Sequence, residues 1–177
     1  EIYKDSNVVK ILTDVSGGIS VEDVKKASNQ IVRFFNEMIK DFEISDYAFE
    51  LPVNLFPLLN LFYNSDEGRV CEIAFTTDEL STKHEKMRRK EHDLRNEAYH
   101  QAGREAVDHI TPYRLGVCWT FQLTAETMSK PEIMLASKLA MLSGEHQLLN
   151  SVTISNCTGL KDYNFVIQKI REKLDEH

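Results

Sequence analysis

A chain of 177 residues is long enough for one domain with a sizeable core. Its net charge of −7, with 42% apolar and 28% charged residues, argues against nucleic acid or an anionic membrane surface as the main partner, since both need a basic face. Cys71, Cys118 and Cys157 are odd in number, widely spaced and outside any C-x-x-C pair, which suits reduced core thiols in the cytoplasm better than a disulfide framework.

Along the chain, Val8 to Val15 read as a short buried strand, and the glycine-rich "SGGIS" turn follows. Ser20 is a good N-cap for a helix from Val21 to Phe42, whose apolar stripe includes Val24, Ala27, Ile31, Phe35 and Met38. Two apolar runs, "VNLFPLLNLFYN" and "RVCEIAFTT", flank "SDEG" and predict an antiparallel hairpin, with pairing starting after Pro57. Thr82 and Glu85 have capping-box spacing and predict a helix through the charged segment to His109, broken between Lys90 and Asn96.

"YRLGVCWTFQL" alternates cleanly, with Leu115, Val117, Trp119 and Phe121 on one side, and reads as a strand. Ser129, Pro131 and Glu132 open an expected helix carrying Ile133, Leu135, Leu139 and Leu142, which stops at Gly144. "QLLNSVTIS" reads as a last strand and "LKDYNFVIQKIREKL" as a closing amphipathic helix. Alternation of strands and helices in this order predicts a single domain over 1–177, a three-layer, doubly wound, mostly parallel α/β sheet with one antiparallel edge strand from the hairpin. The chain opens at Glu1 without a methionine, which leaves room for a longer parent polypeptide, and no run of about 18 apolar residues predicts a membrane span.

"ILTDVSGGISVEDVKKASNQIVRFF" resembles the first strand, metal loop and first helix of the von Willebrand factor A family, where D-x-S-x-S holds a divalent cation. "CWTFQLTAET" with "SKPEIMLASKLAMLSG" is similar to the family's fourth strand, L-T-D-G loop and following helix, and "SVTISNCTGLKDYNFVIQKI" to its last strand and helix. The resemblance implies a Rossmann-like fold, a metal site at Asp14 and Ser16, and a docking rim of Ser16, Gly17, Thr124 and Glu126 for another protein or another domain of the same polypeptide.

The site is degenerate: Gly18 replaces the second serine, Ala125 replaces the loop aspartate, and no matching threonine stands near "KEHDLRNEAY". Two protein ligands leave the remaining octahedral positions to water or a partner's acid, so the expected cofactor is none, or Mg2+ held weakly. The same loop has a phosphate reading, but it lacks G-x-G-x-x-G spacing and a P-loop lysine, and Asp14 would repel the anion. Gly17 and Gly18 as a tight turn with Ser20 as cap explain every residue there except Asp14.

His84, His92 and His100 recur every eight residues, a step of about 80° on a helix, and so share no face. His84, Glu91 and Arg95 near Met87 and Leu94 form a candidate acid–base trio if that helix is continuous, against a plain surface pair of Glu91 and Arg95. "MRRK" at Met87–Lys90 is a basic cluster surrounded by acids, read as a solvated mixed-charge face or a charged surface for another protein. No G-x-S-x-G or H-E-x-x-H motif occurs, so the sequence predicts binding to a protein partner ahead of catalysis. The alternative is a sensor or enzyme for a nucleotide or other small molecule, using residues 14–18 and 124–126.

Overall fold

The computed structural model describes residues 9–14, 20–42, 49, 52–144 and 147–176. The chain divides into two compact units, residues 1–52 and 53–177, and each is taken by itself.

In the first unit, Ser20 is extended and its hydroxyl accepts from the Asp23 amide at 3.1 Å, starting helix α1 (Val21–Asp41) as expected. Glu22 and Asp23 in the first turn and Lys40 in the last complement the helix dipole. Asn36 ties the helix to later chain: its Nδ2 donates to the Phe49 carbonyl at 3.0 Å, and the Phe49 amide donates to its Oδ1 at 2.8 Å. The strand expected over Val8–Val15 does not form in its described part. Residues 10–14 are irregular, Val9 makes only a single bridge, and Val8 and Val15 lie outside the described residues.

The second unit is built on a five-stranded sheet of order β2-β1-β3-β6-β7. Its strands are β1 (Arg69–Thr77), β2 (Thr82–Lys86), β3 (Ile110–Cys118), β6 (Glu132–Ala136) and β7 (Thr153–Ser155). A separate two-stranded ribbon pairs β4 (Phe121–Gln122) with β5 (Met128–Ser129). Helix α2 (Leu58–Tyr63), helix α3 (Ala98–Glu105) and helix α4 (Leu160–Asp175) complete the unit, with 3-10 turns at Leu94–Asn96 and Leu139–Ser143. One face of the sheet carries Val70, Ile73, Leu115, Val117, Ile133 and Leu135, which share a core with Leu58, Leu59 and Phe62 of α2 and Val166 and Ile170 of α4. Trp119 sits edge-on between Phe62, 5.8 Å away, and Phe165, 6.2 Å away.

Every neighbouring pair in this sheet is antiparallel. The expected mostly parallel, doubly wound sheet of von Willebrand A or Rossmann type is therefore corrected to a mainly antiparallel α/β sheet. The physical reason lies in the connections. A parallel sheet needs helical crossovers of a dozen or more residues, and two segments expected to supply them are strands. Thr82–Lys86 is the hairpin partner of β1, not a helix start, with Glu72 opposite Lys86 and Ala74 opposite His84. Glu132–Ala136 is a strand, since Ile133 and Leu135 are fully buried in the core at a period of two.

The first half of the expected hairpin is corrected in the other direction. Pro57 stands at the N-cap of α2 with φ −57°, and Leu58, Leu59 and Phe62 bury at helical spacing. β1 is consequently next to the sheet centre and pairs on both sides. Of the helix expected from Thr82 to His109 with a break between Lys90 and Asn96, only α3 is α-helical, and no helix precedes the break, while α4 follows its expected bounds closely.

Two local devices fix the entry into β1. Gly68 has φ +70°, and a Cβ there would lie 2.7 Å from Val117 Cγ1 and 2.8 Å from Trp119 Nε1. Arg95, paired with both Asp93 oxygens, donates to the carbonyls of Tyr63, Ser65 and Gly68 and so clamps the α2–β1 turn. At α4, buried Asp162 accepts from the Thr158 amide at 2.6 Å and the Gly159 amide at 2.9 Å. Burial alone would raise its carboxyl, but these amides hold it at about 2.

Candidate functional site

The second face of the sheet is polar, and a bulge organises it. Val70 pairs with Val117 and Glu72 with Gly116, so Cys71 is the extra residue on β1. Gly116 leaves the room this needs: a Cβ there would lie 3.2 Å from Glu72 Cβ and 3.3 Å from Cys71 Sγ.

Glu72 is only 2% exposed, yet it is not isolated. Its Oε1 takes His84 Nε2 at 3.0 Å and Arg114 Nε at 2.5 Å, and its Oε2 takes Lys86 Nζ at 2.8 Å. β2 delivers the histidine and the lysine because residues two apart on a strand share a face, and β3 delivers the arginine from the other side. Burial pushes the carboxyl up, while the Lys86, Arg114 and His84 hydrogen bonds bring it down to about 2.

Further along the same face stand Cys71, Cys118 and Glu132. Buried Glu132 receives the Lys90 ammonium and Asn156 Nδ2 on Oε2, and the Cys71 thiol on Oε1 at 3.6 Å. Cys118 Sγ lies 3.6 Å from the Arg69 carbonyl and 3.4 Å from that of Lys90, to which it donates when neutral. Cys118 pairs across the register with Glu132, whose carboxylate also takes the Cys71 thiol, so the two cysteines flank one acid. The neighbouring Cys71 thiol lowers Cys118 to about 7 against the effect of burial, and Arg69 adds to the lowering. Cys71 moves the opposite way, pushed up by the same contact, by burial and by Glu132.

A cleft of about 430 Å³ opens beside this pair. Five cationic residues line it, Arg69, Arg88, Arg89, Lys90 and Lys130, with one acidic residue, Glu91, and with buried Cys118. Arg69 is fixed by bonds to the Lys90 carbonyl at 3.1 Å and Thr120 Oγ1 at 3.0 Å. Lys130 pairs with Glu91 and Lys90 with Glu132. Among the described residues, Arg88 and Arg89 have no carboxylate partner and are exposed.

A third cluster lies where α3 meets the sheet. His100, 3% exposed, holds Glu85 Oε2 on Nδ1 at 2.6 Å and the Tyr63 hydroxyl on Nε2 at 2.9 Å. Its backbone amide donates to Glu97. Burial raises the Tyr63 hydroxyl, and Arg104 lowers it in part. The Tyr63–His100–Glu85 chain runs between α2, α3 and β2 and ties them together.

The residues singled out from the sequence do not assemble into one site. Asp14 is exposed in the irregular stretch before α1, while Ser16, Gly17 and Gly18 lie outside the described residues. Thr124 and Glu126 form an exposed turn between β4 and β5, where Thr124 Oγ1 caps the amides of Glu126 and Thr127. The His84, Glu91 and Arg95 trio is separated: His84 bonds Glu72, Glu91 pairs with Lys130, and Arg95 pairs with Asp93. The "MRRK" cluster does reach the site, as Arg88, Arg89 and Lys90 of the cleft. Glu72, Cys71, Cys118, Glu132 and Arg69 were not foreseen as functional. Two glutamates inside otherwise apolar strands, "VCEIAF" and "PEIML", were the available signal.

Among the described residues, no group of three or more His, Cys, Asp or Glu side chains is placed to hold a metal ion. No helix among them is long and apolar enough to cross a membrane. Fold and site together define an antiparallel α/β domain with a cationic cleft over a thiol pair. The chain matches no family model, no curated protein and no solved structure.

Proposed function

We propose that this chain works by binding, and that the cleft of Arg69, Arg88, Arg89, Lys90 and Lys130 receives a small anion carrying two or more negative charges, such as a phosphorylated or polycarboxylated molecule. The observation that carries this reading is a concentration of five cations around about 430 Å³ in a chain whose net charge is −7. Two of the five are already neutralised by Glu91 and Glu132, which leaves for a ligand Arg69 together with Arg88 and Arg89, which have no carboxylate partner among the described residues. Guanidinium groups suit phosphate and carboxylate oxygens through their paired donors. The volume falls within the usual range for small-molecule sites. A long polyanion would meet the acidic remainder of the surface, which favours a compact ligand over nucleic acid.

Isothermal calorimetry with inorganic pyrophosphate, ADP and citrate tests the proposal. At least one of them binds at low salt, and the Arg88→Ala/Arg89→Ala double variant weakens it about tenfold or more, since a charge-assisted hydrogen bond contributes roughly 1.5–3 kcal/mol. Both side chains are exposed, so the variant keeps its melting temperature. Absence of heat with all three anions, or unchanged affinity in the double variant, refutes the assignment.

A further inference from the structure

The cleft explains its cations but not the sulfur beneath them. Cys118 stands opposite Glu132 in the register and Cys71 Sγ lies 3.6 Å from Glu132 Oε1, so the two thiols of neighbouring strands flank one carboxylate, and of the two Cys118 lines the cleft. Cys71 sits at the bulge with its sulfur in the space that Gly116 leaves open. A thiol that lines an anion-attracting cleft, with a second thiol beside the same carboxylate on the neighbouring strand, is the arrangement of an attacking and a resolving sulfur.

Resting on the anion-cleft reading, we propose that Cys118 and Cys71 form a dithiol that exchanges with an anionic low-molecular-weight disulfide docked in the cleft. The Cys118 thiolate attacks one sulfur of R–S–S–R. The S–S bond breaks, Cys118–S–S–R forms, and R–S⁻ leaves beside the arginines. Cys71 then attacks the Cys118 sulfur, its proton passes to the departing thiolate, and a second R–SH is released. The disulfide R–S–S–R is reduced to two thiols while the protein dithiol is oxidised to a Cys71–Cys118 disulfide, so atoms and electrons balance. The order of attack follows from position: both thiols are buried, but Cys118 lines the cleft and Cys71 does not.

Charge preference is the signature that a buried structural thiol would not show. The measurement uses the full chain with Cys157→Ser, mixed with dianionic dithiobis-nitrobenzoate or with neutral dithiodipyridine. The ratio of the two rates is divided by the same ratio for free cysteine. The normalised preference for the dianion is about tenfold or more, the range in which a charged cleft concentrates a ligand. It falls towards one in the Arg88→Ala/Arg89→Ala variant and in high salt.

Mass spectrometry finds two aryl thiolates released and an internal disulfide. In Cys71→Ser, one thiolate is released and the aryl group stays on Cys118. If that variant does not fold, the stoichiometry of the parent chain decides the matter. A normalised ratio near one, or a stable aryl adduct on the chain with Cys71 intact, overturns the proposal. Should pyrophosphate, ADP or citrate bind while the ratio stays near one, the exchange fails and the cleft reading stands. If no anion binds and the ratio stays near one, both fall.

Discussion

Replacing Glu72 with alanine lowers the unfolding free energy by about 2–3 kcal/mol, somewhat less than removing one partner of a fully buried ion pair. The carboxylate is 3% exposed and takes bonds from His84, Lys86 and Arg114, so its loss leaves three positive groups on adjacent strands without a common counter-charge. The effect is held below the buried-pair figure because those groups are 55%, 60% and 38% exposed and can turn to water. Lys86→Ala, by contrast, costs less than about 1 kcal/mol, as expected for an exposed partner. Urea unfolding of the two variants checks the ordering, and a larger loss for Lys86→Ala would contradict it.

The same carboxylate makes stability pH-dependent. Its pKa in the folded chain is about 2, below the roughly 4.3 of an unfolded glutamate. Its contribution is therefore fully present above about pH 4.3 and disappears as the pH falls through about 2. Asp162, also held at about 2, acts in the same window and direction. Glu72→Gln removes one of the two, so its unfolding free energy falls less steeply between pH 5 and 2 than that of the parent chain.

Gly68→Ala is expected to destabilise by about 3 kcal/mol, from two independent sources. A left-handed backbone with φ +70° disfavours any L side chain, by roughly 1 kcal/mol. The new methyl would also lie 2.7 Å from Val117 Cγ1 and 2.8 Å from the Trp119 ring nitrogen, and overpacking of this kind costs about 1–3 kcal/mol. Neither neighbour can yield easily, because Val117 is fully buried and Trp119 is wedged between Phe62 and Phe165. Thermal unfolding followed at Trp119 would show a lowered midpoint. A midpoint within a degree of the parent would mean that the β1 entry is looser than described.

Much of the fold's local order is legible in the sequence, and its topology is not. Ser20 and the stripe behind it specify α1, the apolar spacing of Val166 and Ile170 specifies α4, and the alternation of Leu115 and Val117 specifies β3. The errors fall where two patterns coincide. Thr82 and Glu85 have the spacing of a capping box, but Thr82–Lys86 pairs with β1 and presents charges as a sheet edge does. "EIMLA" is buried over most of its length, so its period of two is hidden by apolar residues on both faces. "LLNLF" is short enough to pass for strand or helix, and Pro57 settles it towards helix.

With helical patterns over β2 and β6, the sequence predicts crossovers where the fold has hairpin strands, and a wound sheet follows from that pattern. The site was hidden for the same reason. Arg69, Cys118, Lys130 and Asn156 are far apart in the chain and meet only through the register of β1, β3 and β6. Cys71 and Cys118 read as small core residues, which their burial supports, but their meeting beside Glu132 depends on a bulge that no local pattern announces.

The account turns on whether the cationic cleft over Cys118 is where an anion sits. Amide chemical shifts of the labelled chain, recorded during titration with inorganic pyrophosphate, test this most directly. The largest saturable changes should fall on Arg69, Arg88 to Glu91, Cys118 and Lys130, with Thr124 to Thr127 and α1 unmoved. Changes that spread over the whole surface, or that centre on residues 124–127 or on α1, would contradict it.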